Sequence, residues 1–218
     1  MFILSIDQSS ARNSLAIMKN GQTLSFAEWT DARSKGQQLF PAIKKAFAEA
    51  GISADKINVM AIGLGPGSYS GLRISLSALC AMALPFGTQV YGVSSADALI
   101  RSLSKDQGGR DISLIGNARK NRLWMIRGNE SGATEGTTAP LRIIKPEELE
   151  LQASDSLIVC YDWSDMAKVE FIRSSGMMIN ENDQPADAVK VAELARMRIE
   201  KRLPSLPLTP IYVHPAVV

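Results

Sequence analysis

A mixed α/β fold is predicted by three observations: the chain opens on three strand-like segments, the hydrophobic period then lengthens to that of a helix, and strands and helices alternate afterwards. Phe2 to Ile6 is a short apolar run ending at Asp7, and Gln8-Ser9-Ser10-Ala11-Arg12 is turn-like. Ser14 to Met18 is again apolar, Lys19-Asn20-Gly21 carries the Asn-Gly hairpin signal, and Thr23 to Trp29 resumes a strand pattern. From about Asp31 to Ala50, the residues Leu39, Ile43, Ala46, Phe47 and Ala50 fall at helical spacing, and Gly51 is a natural stop. Asn58 to Leu64 reads as a buried strand, Gly65 to Gly71 as a tight loop, and Leu72 to Leu84 as a helix closed by Pro85. Gln89 to Val93 and Ala96 to Leu103 add a strand and a helix, giving the order β-β-β-α-β-α-β-α.

The second half is less regular. Gln107-Gly108-Gly109-Arg110 is polar and glycine-rich and lies between strand-initiating runs, so it divides the chain into lobes at 1–107 and 108–218. Beyond it, Ile112 to Ile115, Arg122 to Arg127 and Leu157 to Tyr161 read as strands. Asn129 to Ala139 reads as a polar loop or hairpin, and Val189 to Arg202 as a charged amphipathic helix.

Composition bounds the chemistry. The 218 residues are 45% hydrophobic, enough for a full core, and 24 Lys and Arg against 22 Asp and Glu leave a formal charge of only +2. Charge alone therefore gives no pull toward nucleic acid. Cys80 and Cys160 sit in separate apolar runs, which excludes a CxxC motif and fits buried free thiols in a reducing, cytoplasmic setting. The N-terminus lacks the basic start and cleavage site of a signal peptide, and no apolar stretch is expected to reach the ~18 residues of a membrane span. His214, in a Pro-rich tail, is the only histidine, so a His-based triad or multi-histidine metal site has nothing to build on. Trp29, Trp124 and Trp163 read as packing residues, and Arg119-Lys120-Asn121-Arg122, the most basic short stretch, as a solvated hairpin tip.

Gly63-Leu-Gly-Pro-Gly-Ser-Tyr-Ser-Gly-Leu-Arg73 carries the most information, because its glycines and proline force a tight turn between strand and helix. It matches neither a P-loop nor GxGxxG. Two readings stand: a turn built on Gly65, Gly67 and Gly71 with Ser68 or Ser70 as the helix N-cap, or an anion site at exposed N–H groups. Asp7, at the end of the first strand, could place a cation near a nucleotide phosphate or be an ordinary capping carboxylate; Asp162, after a later strand, is a weaker candidate.

Three segments together resemble the TsaB (YeaZ) family: Phe-Ile-Leu-Ser-Ile-Asp-Gln-Ser-Ser at the start, Gly65-Pro-Gly-Ser-Tyr-Ser-Gly-Leu-Arg-Ile74, and Tyr91-Gly-Val-Ser-Ser-Ala-Asp-Ala98. Weaker matches continue at Asn117-Ala-Arg119, Ala186-Asp-Ala188 and Pro210-Ile-Tyr212. The resemblance implies the two-lobed fold of actin, sugar kinases and Hsp70 (the ASKHA fold), and a part in making N6-threonylcarbamoyladenosine at position 37 of tRNA. It implies a non-catalytic partner of a TsaD-type transferase, with a TsaE-type ATPase in the larger complex, tRNA met only through that complex, and a homodimer when alone. Asp7, Ser9 and Ser10 would then be vestigial cofactor-binding residues with at most weak ATP or ADP binding, and no metal or catalytic residues are expected. Lys35, Asn117 and His214 depart from residues frequent in that family. The alternatives are a stand-alone ATP-dependent phosphotransferase, suggested by Asp7 and the glycine turn, and a metallopeptidase-like protein.

The helix Leu72 to Leu84 is apolar nearly all round, so it must be covered on more than one face. Cover can come from within this chain or from a partner; with the family resemblance, Leu39, Phe40, Ile43 and Phe47 of the first helix, with Leu72, Ile74, Ala78 and Met82 of the second, are the expected partner interface.

Overall fold

The computed structural model describes residues 1–30, 38–134, 140–153, 155–161, 179–180 and 185–213. Lys35, Asp162, Trp163 and His214 lie outside them. Contacts divide the chain into two units, Met1–Ala98 with Ala186–Tyr212, and Leu99–Pro185 with Val213–Val218.

The first unit holds β1 (Phe2–Asp7), β2 (Arg12–Lys19), β3 (Gln22–Thr30), α1 (Leu39–Ala50), β4 (Val59–Gly63), α2 (Tyr69–Ala83), β5 (Gln89–Val93) and the start of α3 (Ser95–Asp106). That is the order the sequence predicts. Its sheet runs β3-β2-β1-β4-β5, with β1 antiparallel to β2 and parallel to β4. The Asn20-Gly21 turn places both residues at positive φ, the geometry a two-residue hairpin needs.

Period-two alternation assigns the faces of this sheet. Leu4 and Ile6, paired with Ile17 and Leu15 and with Met60 and Ile62, join Leu39, Ile43, Ala78 and Leu79 in one core, so α1 and α2 cover that face. Ser5 points the other way, where its hydroxyl donates to Ala188 O at 2.7 Å. Ala188 begins the last helix, α6 (Ala188–Glu200), which packs across the strands of this first sheet.

That position corrects the predicted division at residue 107, which assigns the last helix to the second lobe. The physical reason is a row of small residues across the sheet, Ala16, Ser5 and Ala61 in register, facing a helix that buries Ala188, Ala192 and Ala195. Small side chains on both partners allow close approach, and Asp187 caps the helix by accepting the Lys190 N–H at 2.9 Å.

The second unit carries β6 (Ile112–Asn117), β7 (Leu123–Gly128), α4 (Glu130–Thr134), β8 (Arg142–Ile144), α5 (Leu149–Gln152), β9 (Leu157–Cys160) and β10 (Ile179–Asn180). Its sheet order is β10-β9-β6-β7-β8. Ile115, Leu123, Met125, Ile144, Leu149 and Cys160 form its core. Of the polar loop or hairpin predicted over Asn129 to Ala139, Glu130–Thr134 form a short helix, its first turn capped by the Asn129 side chain, which accepts the Ser131 N–H at 3.0 Å, and 135–139 lie outside the described residues. Trp29 and Trp124 are buried packing residues, the latter edge-to-face with Tyr161 at 5.5 Å.

Two expectations about α2 are corrected. Tyr69–Phe86, the helix with its terminal 3-10 turn, is an 18-residue stretch of mean hydropathy 1.2, long and apolar enough to cross a membrane by length and composition. Only 28% of that stretch is buried. Cys160 is buried as predicted, but Cys80 is exposed on α2, because a helix apolar all round hides which face meets the sheet.

Candidate functional site

The glycine-rich turn after β4 packs against the loop after β1. A side chain at Gly63 would collide with the Asp7 carboxylate, one at Gly67 with the Ser9 carbonyl, and one at Gly71 with the Gln8 carbonyl. Glycine is needed at 67 and 71 because two backbones meet there, and at 63 because the Asp7 and Ser95 side chains lie against it. Three of the turn's donors are spent internally: Gly65 N–H on Ser95 Oγ (3.0 Å), Ser68 N–H on Ser9 O (2.7 Å), and Leu72 N–H on Ser68 O (3.0 Å). Ser68, of the two candidate serines, is the N-cap of α2 and accepts the Gly71 N–H at 3.2 Å.

Asp7 is fully buried. Its Oδ1 accepts the Ser9 hydroxyl and the Ser9 N–H (3.0 Å), and its Oδ2 accepts the Ser95 hydroxyl at 2.6 Å. Burial pushes the carboxyl above the ordinary carboxylate range; the serine hydrogen bonds oppose this, and the charge of Asp187 adds to it. Ser10 turns away, its hydroxyl donating to Arg12 O at 3.0 Å. Gln8 Oε1, also buried, has no hydrogen-bond partner among the described residues. Asp7, Ser9 and the glycine turn are thus brought together, joined by Ser95, which sequence reasoning missed as a site residue although it lies inside the quoted Tyr91–Ala98 segment.

The sign of the Asp7 shift yields a prediction. A carboxyl whose folded pKa is raised contributes stability that is full below its unfolded value, about 3.9, and is lost as pH rises through the folded value. Asp7→Asn removes that dependence. The melting temperature of Asp7→Asn minus that of the wild type should therefore rise between pH 4 and pH 8, whereas a difference that stays flat or falls would refute the assignment. Asp7→Ala, which leaves the Ser9 and Ser95 hydroxyls without an acceptor, should cost about 1–3 kcal/mol.

The C-terminal segment closes over the same turn. Tyr91 Oη donates to Leu203 O (2.7 Å), Leu206 N–H to Gly92 O (3.0 Å), and Ile211 N–H to Leu64 O (2.7 Å). Arg73 then stacks on the Tyr69 ring at 4.1 Å and donates to Tyr212 Oη at 2.8 Å.

The eight residues expected at a partner interface divide. Leu39, Ile43, Leu72 and Ala78 are buried in this chain's own core, and Phe47, Ile74 and Met82 are partly buried against it. Only Phe40 is exposed, at 61%. The outward stripe of α2 is Ser77, Cys80, Ala81 and Leu84, at i, i+3, i+4 and i+7, ending in Leu84 at 83% exposure. It is uncharged.

These features define a class: a mixed α/β fold with a β-β-β-α-β-α-β-α unit whose strand ends hold a buried aspartate under a glycine-rich turn. The structure of YeaZ from Pseudomonas aeruginosa superposes with a TM-score of 0.75 over 97% of this chain and 99% of that one, at 18% identity. A second structure, of a protein described as similar to peptidase YeaZ from the same organism, gives 0.76 over 98% and 99% at 20% identity. The model of the family TsaD: tRNA N6-adenosine threonylcarbamoyltransferase matches residues 30–177, more than half of the chain. The chain belongs to that family, on its TsaB/YeaZ branch. The tRNA threonylcarbamoyladenosine biosynthesis protein TsaB of Escherichia coli K12 is 26% identical over 149 residues, 67% of this chain and 64% of that protein. An uncharacterised protein of Mycobacterium tuberculosis H37Rv is 27% identical over 130 residues, 57% of this chain and 58% of the relative. The chain spans about three fifths of the length of these curated relatives.

Proposed function

We propose that this chain is a non-catalytic subunit that binds a TsaD-type transferase for threonylcarbamoyladenosine modification of tRNA in the cytoplasm. The observation that carries the reading is the pair of exposed apolar side chains Leu84, at the end of α2, and Phe40 on α1, which suit burial against a partner. A paralogue presenting the equivalent two helices would complete a four-helix contact, small residues on α2 permitting close approach. With the partner missing, the same surface suits a homodimer.

The Asp7 site supports a structural role over a catalytic one. A nucleotide-dependent enzyme needs a carboxylate free to hold a cation and N–H groups free to meet phosphates. Here the oxygens of Asp7 are occupied by Ser9 and Ser95, and Gly65, Ser68, Gly71 and Leu72 have spent their N–H groups internally. These bonds support the reading that the isolated chain needs no ATP and count against the phosphotransferase alternative. Among the described residues no three His, Cys, Asp or Glu side chains gather into a metal-binding group.

The test supplies threonylcarbamoyl-adenylate and tRNA to this chain, to its TsaD-type partner, and to both. Transfer is expected only when the partner is present, with full activity needing both proteins. Transfer by this chain alone would overturn the reading.

A further inference from the structure

The turn between β6 and β7 is strained and basic, and nothing described so far uses it. Arg119, Lys120 and Asn121 have φ of 59°, 48° and 53°, three successive non-glycine residues in the left-handed region. Asn tolerates that region; Arg and Lys do so poorly, and glycine would relieve the strain. The fold holds the turn closed through Ala118 N–H to Arg122 O (2.8 Å), Arg122 N–H to Arg119 O (3.0 Å), and Arg119 N–H to Asn117 Oδ1 (2.7 Å). Asn117, a departure from the family's pattern, is thus a neutral acceptor that ties down the tip.

The result is a row of exposed cations. Leu123 pairs with Ile144 in the β7–β8 ladder, so the next step sets Arg122 beside Lys145. Lys120, Asn121, Arg122 and Lys145 line an open groove whose remaining wall is Glu147 and Glu148. Glu148 is engaged, accepting the Lys145 backbone N–H at 3.0 Å. Arg119, Lys120, Arg122 and Lys145 form no ion pair among the described residues. Three cations, Lys120, Arg122 and Lys145, therefore line the groove against two carboxylates, one of which accepts a backbone N–H, and Arg119 stands exposed beside them in the same turn.

We propose that this groove is a contact site for the phosphate backbone of RNA. No apolar side chain lines it, whereas a protein partner needs buried apolar or aromatic anchors for affinity. Phosphates need only cations and donors, and the arginine fork matches phosphate oxygens. Strain held in a fixed turn fits a site that presents charges in one arrangement. This replaces the reading of a solvated hairpin tip. It rests on the function proposed above only in taking tRNA as the RNA.

The test is fluorescence anisotropy of the full chain with labelled, unmodified tRNA at about 50 and 200 mM salt, where phosphate contacts separate from other contacts by their salt slope. Arg119→Ala/Lys120→Ala/Arg122→Ala should lose at least about tenfold in affinity at the lower salt and lower the slope of log K against log salt by roughly 2, as three released phosphate contacts require. Its melting temperature should hold, since the side chains are exposed. Lys120→Gly, which relaxes the turn and removes one cation, should lose less affinity and melt higher. Equal affinity and slope for wild type and triple variant, no tRNA binding by the wild type at the lower salt, or preferential displacement of tRNA by polyglutamate would each overturn the proposal. Association with the transferase is measured in parallel. Loss of tRNA binding with partner binding kept supports the groove, and loss of tRNA binding where no partner binds supports the groove while counting against the subunit reading.

Discussion

Gly67→Ala is expected to destabilise the protein by about 3–5 kcal/mol, lowering its melting temperature by roughly 10 °C for a chain of this size. The added methyl would fall on the Ser9 carbonyl, the atom that already accepts the Ser68 N–H at 2.7 Å. Neither partner is a flexible side-chain end, so relief requires the two loops to part. Parting them breaks the Ser68–Ser9 bond and disturbs Ser9, which donates twice to buried Asp7, leaving a buried carboxylate short of donors. Gly132→Ala is the control, since nothing lies within 4 Å of the added atom. Urea or thermal unfolding of the two variants distinguishes a backbone contact from a general intolerance of alanine. A Gly67→Ala protein as stable as Gly132→Ala would mean that the turn does not pack on the β1 loop.

The second large effect is on association. Placing charges on both helices through Phe40→Asp and Leu84→Asp should weaken binding to the transferase by at least roughly a hundredfold, because buried apolar anchors contribute about 2 kcal/mol or more each at an interface. Folding should be nearly unaffected: at 61% and 83% exposure neither side chain is part of the core, and surface changes of this kind stay within about 0.5 kcal/mol. Ala78 is the opposite case. It is buried at 6%, so a charge there should unfold the chain, and it cannot report on the interface.

Those two helices illustrate what was legible in the sequence. The period of Leu72, Leu76 and Leu79 identifies a helix, and Gly65-Pro66-Gly67 identifies the turn before it, because both are local signals. Which face meets the sheet is a tertiary fact. With apolar residues all round α2, Ala78 and Ala81 look alike in sequence, yet one is buried and the other exposed. The destination of α6 was hidden for a related reason. Its amphipathic pattern predicts a helix, but only the small row of Ala16, Ser5 and Ala61 on the first sheet says where it docks. β8 escaped notice because Arg142–Ile144 is three residues long, too short for a period to register.

The site was partly legible. Asp7 and the glycine turn stand out in the sequence, but the use of the carboxylate depends on Ser95, 88 residues away, and on a burial no motif encodes. At Arg119 to Arg122 the charge is visible in the sequence, while the left-handed backbone that displays it is not.

The most direct measurement of the central claim is co-purification of this chain with the TsaD-type transferase of its own cell, both proteins being expressed, with Phe40→Asp/Leu84→Asp carried alongside. The account predicts a stable heterodimer with the wild-type chain and its loss with the variant, at an unchanged melting temperature. A folded wild-type chain that fails to retain the transferase, or a variant that retains it fully, would contradict it.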